Sequence, residues 1–303
     1  MIRAGIVCGI CNATEKLIKL LLLHPDVELL WVQDLHDAGM RLDALYGTLV
    51  GDTTMLTTDN AGDLAATDVV FLAASDSEAE QWLNDHELPD TLRVVDMSTP
   101  HREDWVYGLS EVNRKHMVHD CRRVTCPTPV AMAAGLALLP LAKNLMLNSS
   151  LQVVVATKSL CTMPQLKLSD AEKDKETRQE VERMLQDLQA SFEASFEAWT
   201  TIEAAGTTCV LATVTLACNV QIDLLTELYR QYYDDHRFVH VITGELSQCY
   251  VMNTNKCLIN IQPTGRRVQV SAIIDGDVKG LAGNAVHVMN LLFGLHEQVG
   301  LRF

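Results

Sequence analysis

Ile2-Arg3-Ala4-Gly5-Ile6-Val7-Cys8-Gly9-Ile10-Cys11-Asn12-Ala13-Thr14 opens the chain. Ile2–Val7 is an apolar run of strand length. Cys8–Ala13 has the length of a tight turn, and Thr14–Leu23 has helical spacing. Strand, turn and helix in that order begin a βαβ unit. The pattern recurs downstream. Val27–Gln33, Val69–Ala73 and Leu92–Met97 are further strand-length runs, separated by the helix-compatible segments Arg41–Tyr46 and Ser77–Asn84. Arg123–Thr125 is a fifth short strand. Such alternation predicts a parallel sheet with right-handed crossovers.

The pattern then changes. Pro129–Leu147 has helical spacing, with Gly135 and Pro140 inside it, so a kink or an end is expected near Leu139. Leu151–Thr157 reads as a strand. Lys167–Trp199 reads as a charged amphipathic helical segment, with Val181, Met184, Leu185, Leu188 and Phe192 on one face and a capping box at Ser169-x-x-Glu172. Thr208–Ala217, Phe238–Ile242, Cys257–Gln262 and Val268–Ile274 read as strands, Asp223–Tyr233 as a helix, and Gly283–Leu295 as a last apolar helix. The expected fold is α/β. A Rossmann-like dinucleotide-binding domain spans residues 1–127, with the C-terminal helix of 280–303 packing back on it. A second α+β domain of 128–279 carries a mixed or antiparallel sheet.

Composition narrows the function. At 303 residues the chain has room for about two domains and needs no disulfide or metal for stability. Its 24 Lys and Arg against 39 Asp and Glu leave a formal charge of −15, which repels phosphate backbones and anionic lipid. A small-molecule substrate is expected, with neither nucleic acid nor membrane as partner. Val69–Ala74 and Val130–Ala142 are the longest apolar stretches, well short of the ~20 residues a span requires. The first residues lack a small-residue cleavage site, so no signal peptide is read. Nine cysteines without a repeated spacing suggest reduced thiols and a cytoplasmic location. Glycine, at 16 of 303, falls below the usual ~7%.

Four features carry candidate chemistry. The turn after the first strand is placed for a dinucleotide's pyrophosphate, but the usual glycine-rich pattern is reduced to Gly9. Cys8-x-x-Cys11 could be redox-active or half of a zinc site. No second CxxC exists, so the reading adopted is two small buried thiols and no metal. Asp34 ends the second strand, where an acid often holds the adenosine ribose and favours NAD over NADP; it is also an ordinary loop residue. Cys126 stands directly before a long helix, whose macrodipole should lower its pKa and yield a nucleophilic thiolate; a buried structural cysteine is the alternative.

Several stretches, in order along the chain, resemble the N-acetyl-gamma-glutamyl-phosphate reductase family. They are Asp96-Met97-Ser98 through Arg102, Tyr107-Gly108-Leu109-Ser110-Glu111-Val112-Asn113-Arg114, Cys126 with Ala134–Leu141, and Val278-Lys279-Gly280-Leu281-Ala282-Gly283-Asn284-Ala285-Val286 through Leu295. The family reads there as VVDLS-x-x-FR, YGLPELNR, NPGCYPT and VKGAAGQAV-x-x-MNLMFGL. The resemblance implies a cysteine that attacks an acyl phosphate or a related amino-acid derivative, and a thioester reduced by NAD or NADP to a semialdehyde. It implies an enzyme of amino-acid biosynthesis, homo-oligomeric through the second domain's sheet. Cys126 falls on the nucleophile. Arg102 falls on a substrate-carboxylate arginine, with a salt bridge to Glu103, Asp104 or Glu111 as its structural alternative, and Ser98 and Glu111 lie in the same substrate-binding stretches. Gly9, Cys11, Asn12, Ala13 and Asp34 fall on the cofactor turn and ribose position, and Asn284 on a glutamine near the nicotinamide.

The departures are equally specific. Cys8, Cys11 and Thr14 replace three glycines of the family's GASGYTG turn. Its glycine-rich SGVSGAG loop falls near Lys158–Pro164 without a glycine, and its HRH-x-PEI motif near Lys175–Val181 without a histidine. His101, beside Arg102, is the nearest replacement acid/base by sequence. Two readings follow: a divergent cysteine-dependent reductase, or a non-catalytic or repurposed relative that partners an active enzyme or uses Cys126 without hydride transfer.

Overall fold

The computed structural model describes residues 1–9, 12–119, 121–147, 150–158, 167–168, 170–191, 195–203, 209–218 and 220–302. It divides into two compact units, Met1–Pro127 with Leu281–Arg302, and Thr128–Gly280. In chain order the elements are β1 (Ile2–Cys8), α1 (Asn12–Leu22), β2 (Val27–Asp34), α2 (Leu42–Leu45), β3 (Val69–Ala73), α3 (Asp76–Asp85), β4 (Arg93–Asp96), β5 (Val106–Tyr107), α4 (Ser110–Val118) and β6 (Arg123–Thr125). They continue with α5 (Pro129–Lys143), β7 (Leu151–Lys158), β8 (Lys167–Leu168), α6 (Ala171–Leu188), β9 (Phe196–Glu203), β10 (Cys209–Ala217), α7 (Ile222–Tyr233), β11 (Val239–Ile242), β12 (Cys257–Thr264), β13 (Arg267–Asp275) and α8 (Gly283–Leu292).

In the first unit six strands form a parallel sheet in the order β2-β1-β3-β4-β6-β5. Every residue of β3 is buried, as expected of a strand covered on both faces. The strand order reverses between β1 and β3. Parallel sheets open a ligand crevice at such a switch point, at the carboxyl ends of the strands.

The second unit holds a mixed seven-stranded sheet, β11-β12-β13-β10-β7-β9-β8, with β11/β12 and β7/β9 parallel and the other neighbours antiparallel. Helix α5 is buried from Ala131 to Ala142, matching its apolar composition on all sides. Pro140 does not end it. The proline lacks the N–H that would serve the Leu136 carbonyl, and the Tyr233 hydroxyl donates there instead; Tyr229 donates to the Ala137 carbonyl at 2.6 Å. A Cβ on Gly135 would lie 2.3 Å from the Met184 sulfur, so the glycine lets α6 approach closely.

Three readings of the middle region change. Trp199 and the residues before it from Phe196 lie in β9, extended beside β7, with Phe196 edge-on to Trp199 at 5.3 Å. Helix α6 starts after Asp170, whose side chain accepts from the Glu172 amide at 3.2 Å; Ser169 and Phe192 fall outside the described residues. Helix α4, a segment left without helical assignment in the sequence reading, carries Glu111.

Candidate functional site

Cys126 follows β6 directly, and its amide donates to the Asp96 carbonyl at 2.6 Å, pinning it beside the end of β4. The residue is 2% exposed. Asn284, near the start of α8, is fully buried. Its Nδ2 donates to the Gly108 carbonyl at 2.8 Å, and its side chain also hydrogen-bonds the Cys126 thiol. Gly108 makes this approach possible. A Cβ there would lie 2.6 Å from Val124 Cγ1 and 2.8 Å from the Thr125 carbonyl, so no larger residue fits without movement.

Burial pushes the Cys126 thiol up, the Asp96 carboxylate pushes it further, and the Asn284 contact recovers only part, leaving it at about 12. The macrodipole reading expected a fall. It fails because complete desolvation and a neighbouring carboxylate both oppose the thiolate. At rest the sulfur is a protonated thiol.

Asp96, itself fully buried, organises the surrounding groups. One oxygen accepts from the Ser98 amide at 2.8 Å and from its hydroxyl at 2.6 Å; the other accepts from Arg102 Nε. Arg102 Nη2 reaches Asp76 and the Ser98 hydroxyl, both at 3.2 Å. The fork expected to grip a substrate carboxylate is thus occupied by the chain's own acids, which are Asp96 and Asp76 rather than Glu103, Asp104 or Glu111. Of its nitrogens only Nη1 has no hydrogen-bond partner among the described residues, on a side chain 14% exposed. Ser98, expected at the substrate, is committed to the same cluster. Glu111 is buried on α4, accepts from the Ser110 hydroxyl at 2.9 Å, and lies close enough to Glu297 to act on its charge; Glu297 in turn pairs with Arg114 and with His287 at 2.8 Å. That places Glu111 in a charge cluster of α4, α8 and the segment after α8 that carries Glu297. His101 is exposed and has no hydrogen-bond or ionic partner among the described residues, so nothing couples it to the thiol.

The turn after β1 differs sharply. The Gly9 amide donates to the Ala73 carbonyl at the end of β3, and the Thr14 hydroxyl donates to the Gly9 carbonyl. Ala13 is buried in α1; Cys11 and the side chain of Asn12 fall outside the described residues. Asp34 is 2% exposed. One of its oxygens takes the His36 and Asp37 amides at 2.9 and 3.0 Å, and the other faces the Cys8 sulfur at 3.9 Å. It therefore braces the turn after β2 instead of presenting a charge to a ribose, which removes the expected basis for preferring NAD. Cys8 is a buried thiol as read, none of the seven described cysteines is in a disulfide, and no metal-binding cluster occurs among the described residues.

Beside this turn stands Glu78 of α3. Its Oε2 lies 3.9 Å from where a Cβ of Gly9 would be and accepts from the Ser75 amide at 2.9 Å and the Ser75 hydroxyl; its Oε1 meets His36 Nε2 at 2.9 Å. The Ser75 hydroxyl, then its amide, then His36 hold the Glu78 carboxyl below its ordinary value, so it is charged at neutral pH. An open cleft of about 320 Å³ adjoins it, lined by Gln33, Leu35, His36, Trp82 and His86 among others. The sequence assigns no site role to Glu78 or, beyond its place in the Asp96–Arg102 stretch, to Asp96. Glu78 was visible as the last member of a Ser-x-x-Glu capping box at Ser75, directly after a strand.

For a nicotinamide dinucleotide the two corners give opposite answers. Near Cys126, Asn284 Oδ1 is a buried acceptor without a hydrogen-bond partner, as a carboxamide N–H requires. Near Gly9 the amide is taken and a carboxylate stands where pyrophosphate charge is expected. The nicotinamide end fits; the phosphate end fits poorly.

Comparison with known proteins agrees with the fold. Residues 3–119 match the family model described as the NAD binding domain of semialdehyde dehydrogenase, and residues 168–276 the one described as its dimerisation domain. The N-acetyl-gamma-glutamyl-phosphate reductase of Phocaeicola vulgatus is 32% identical over 100% of this chain and 98% of its own, and that of Parabacteroides distasonis 32% over 99% and 98%. Among solved structures, aspartate semialdehyde dehydrogenase with NADP from Candida albicans matches with a TM-score of 0.73 at 13% identity, over 97% of this chain and 98% of that one. A probable aspartate-semialdehyde dehydrogenase from Pseudomonas aeruginosa gives 0.69 at 16%, over 96% and 98%. At such identities these structures speak for the fold alone.

Proposed function

Because the chain belongs to the N-acetyl-gamma-glutamyl-phosphate reductase family, we propose that it reduces an acyl phosphate of that type to its semialdehyde, using NAD or NADP and Cys126. The observation that carries this reading is the Cys126 corner: a sulfur at a strand's carboxyl end, an amide donor on it, and an unused buried acceptor beside that donor. Once the thiol has given its proton to solvent, Cys126 Sγ attacks the acyl carbon, the carbon–oxygen bond to phosphate breaks, and phosphate leaves with the electron pair. When bound, the nicotinamide supplies the hydride that reduces the resulting thioester. The semialdehyde departs as its bond to sulfur breaks, and Asn284 Nδ2 steadies the sulfur as it regains negative charge. Arg102 Nη1 offers the substrate carboxylate a single hydrogen bond, while its other nitrogens serve Asp96, Asp76 and Ser98.

The match to the dimerisation domain supports a homo-oligomer. No helix among the described residues is long and apolar enough to cross a membrane. The same reading places the protein in cytoplasmic amino-acid biosynthesis. A second reading has one observation in its favour. A thiol held at about 12 is almost wholly protonated at neutral pH, which suits a repurposed relative that no longer turns over.

One experiment addresses both readings. Nicotinamide oxidation is followed with N-acetyl-γ-glutamyl phosphate, for the wild-type chain and for Cys126→Ser, across neutral to alkaline pH. The reductase reading expects slow turnover that climbs with pH and vanishes in the variant. Turnover unaffected by Cys126→Ser would refute the assigned nucleophile, and no turnover at any pH would favour the repurposed relative.

A further inference from the structure

The residues around Gly9 assign a role to Glu78 that the family's chemistry does not require. A dinucleotide-binding turn works because backbone amides face the pyrophosphate, glycines let it come close, and no negative charge opposes it. Here each condition is altered on one small area. The Gly9 amide is spent on the Ala73 carbonyl. Thr14, fully buried, occupies a position that resembles a family glycine and turns its hydroxyl to the Gly9 carbonyl. Glu78 Oε2 lies 3.9 Å from the Gly9 Cβ position, at the mouth of the crevice between β1 and β3.

This carboxylate is fixed, not a side chain that swings away on demand. The capping box ties it to the Ser75 amide and hydroxyl, and His36 holds its other oxygen. Its side chain is 28% exposed, so water screens it only in part. Arg102, the nearby cation, does not cancel it for a ligand, because Asp96 and Asp76 engage its guanidinium.

We infer that Glu78 sets this domain's affinity for dinucleotides by placing a fixed negative charge against the pyrophosphate, so that the chain binds NAD(P)H weakly and the charge, more than the missing glycines, is what weakens it. The inference rests on the reading that a nicotinamide dinucleotide is this domain's ligand, and it adds the residue that tunes the binding.

The test is calorimetric or fluorescence titration of the full chain with NADH and with NADPH, at low and at physiological salt. Wild type is compared with Glu78→Gln, Glu78→Ala and Glu80→Gln. Glutamine retains the capping geometry, so Glu78→Gln keeps α3 intact. Glu80 is exposed on the same helix, so Glu80→Gln makes the same change in net charge elsewhere. Both Glu78 variants should tighten binding by at least about tenfold at low salt, with a smaller gain at higher salt, and Glu80→Gln should leave it unchanged. Wild-type and Glu78→Gln affinities that agree within error overturn the inference while leaving the cofactor reading intact. Binding by Glu78→Gln with none detected for wild type upholds the inference and puts the natural chain's affinity below the range of the titration. Absence of binding in all four proteins overturns it, and so does an equal gain in Glu80→Gln.

Discussion

Two corners of one parallel sheet have diverged in opposite ways. At the end of β6, Cys126, Gly108 and Asn284 are held together by close packing. At the end of β1, the turn keeps Gly9 alone and has a carboxylate beside it. The first corner depends on packing: one Cβ on Gly108 would collide with two neighbours. The second depends on charge and loop chemistry, and an altered turn there still folds. Fold and family therefore persist where substitution breaks the core, and change where it alters only what the crevice attracts.

The largest effect expected is at Arg102. Removing its guanidinium leaves Asp96, which is fully buried, with only the Ser98 donors. Arg102→Ala should cost about 3–5 kcal/mol of stability, read as a shift in the denaturant midpoint. Arg102→Lys should also lower the midpoint, because a lysine cannot reach Asp96 and Asp76 as the fork does. A loss of substrate affinity with unchanged stability would make Arg102 a substrate residue in place of a structural one and blunt the contrast between the corners. Gly108→Ala comes next, at about 1–3 kcal/mol from overpacking against Val124 and Thr125. The corresponding change in the other corner, Gly9→Ala, meets only Glu78 Oε2, at 3.9 Å, among the described residues and should be within about 0.5 kcal/mol of neutral. Equal costs at the two glycines would break the comparison.

Stability should also respond to alkali. The folded Cys126 thiol is raised above its unfolded value near 8.5, so its stabilising contribution is complete below that pH. It declines as pH rises toward about 12, by roughly 1.4 kcal/mol for each pH unit in that window. Chemical denaturation of wild type and Cys126→Ala at several alkaline pH values should show a shallower decline in the variant. Parallel curves would remove the buried-thiol account.

Much of this architecture was legible before any coordinates. Strand-length apolar runs mark ten of the thirteen described strands, most clearly in the first unit, where a sheet buried on both faces demands continuous Val, Ile and Leu. The stretches around Gly108, Cys126 and Asn284 stand out in the sequence, and the structure brings them together, since packing ties their identity to their position. Phe196–Trp199 was misread because its charged neighbours extend the helical pattern of α6, and only pairing with β7 makes it a strand. The roles of Arg102, Ser98 and Asp34 were hidden for a different reason. Each is a polar residue at a strand end, where sequence reports the donor or acceptor but not which partner reaches it first. Asp96 takes Arg102 and Ser98, and the amides of His36 and Asp37 take Asp34. The Cys126 pKa was misjudged similarly: the helix was visible in the sequence, while the depth of burial and the nearby carboxylate were not.

The central claim is that Cys126 is intact in position yet protonated at rest. The direct measurement is its rate of alkylation by iodoacetamide as a function of pH, followed by peptide mass spectrometry in the full chain, with the exposed Cys249 as internal reference. The account predicts that Cys249 reacts first at neutral pH and that the Cys126 rate keeps climbing with pH toward about 12. A Cys126 rate that exceeds that of Cys249 at neutral pH and levels off below about 8.5, the ordinary thiol value, would contradict it.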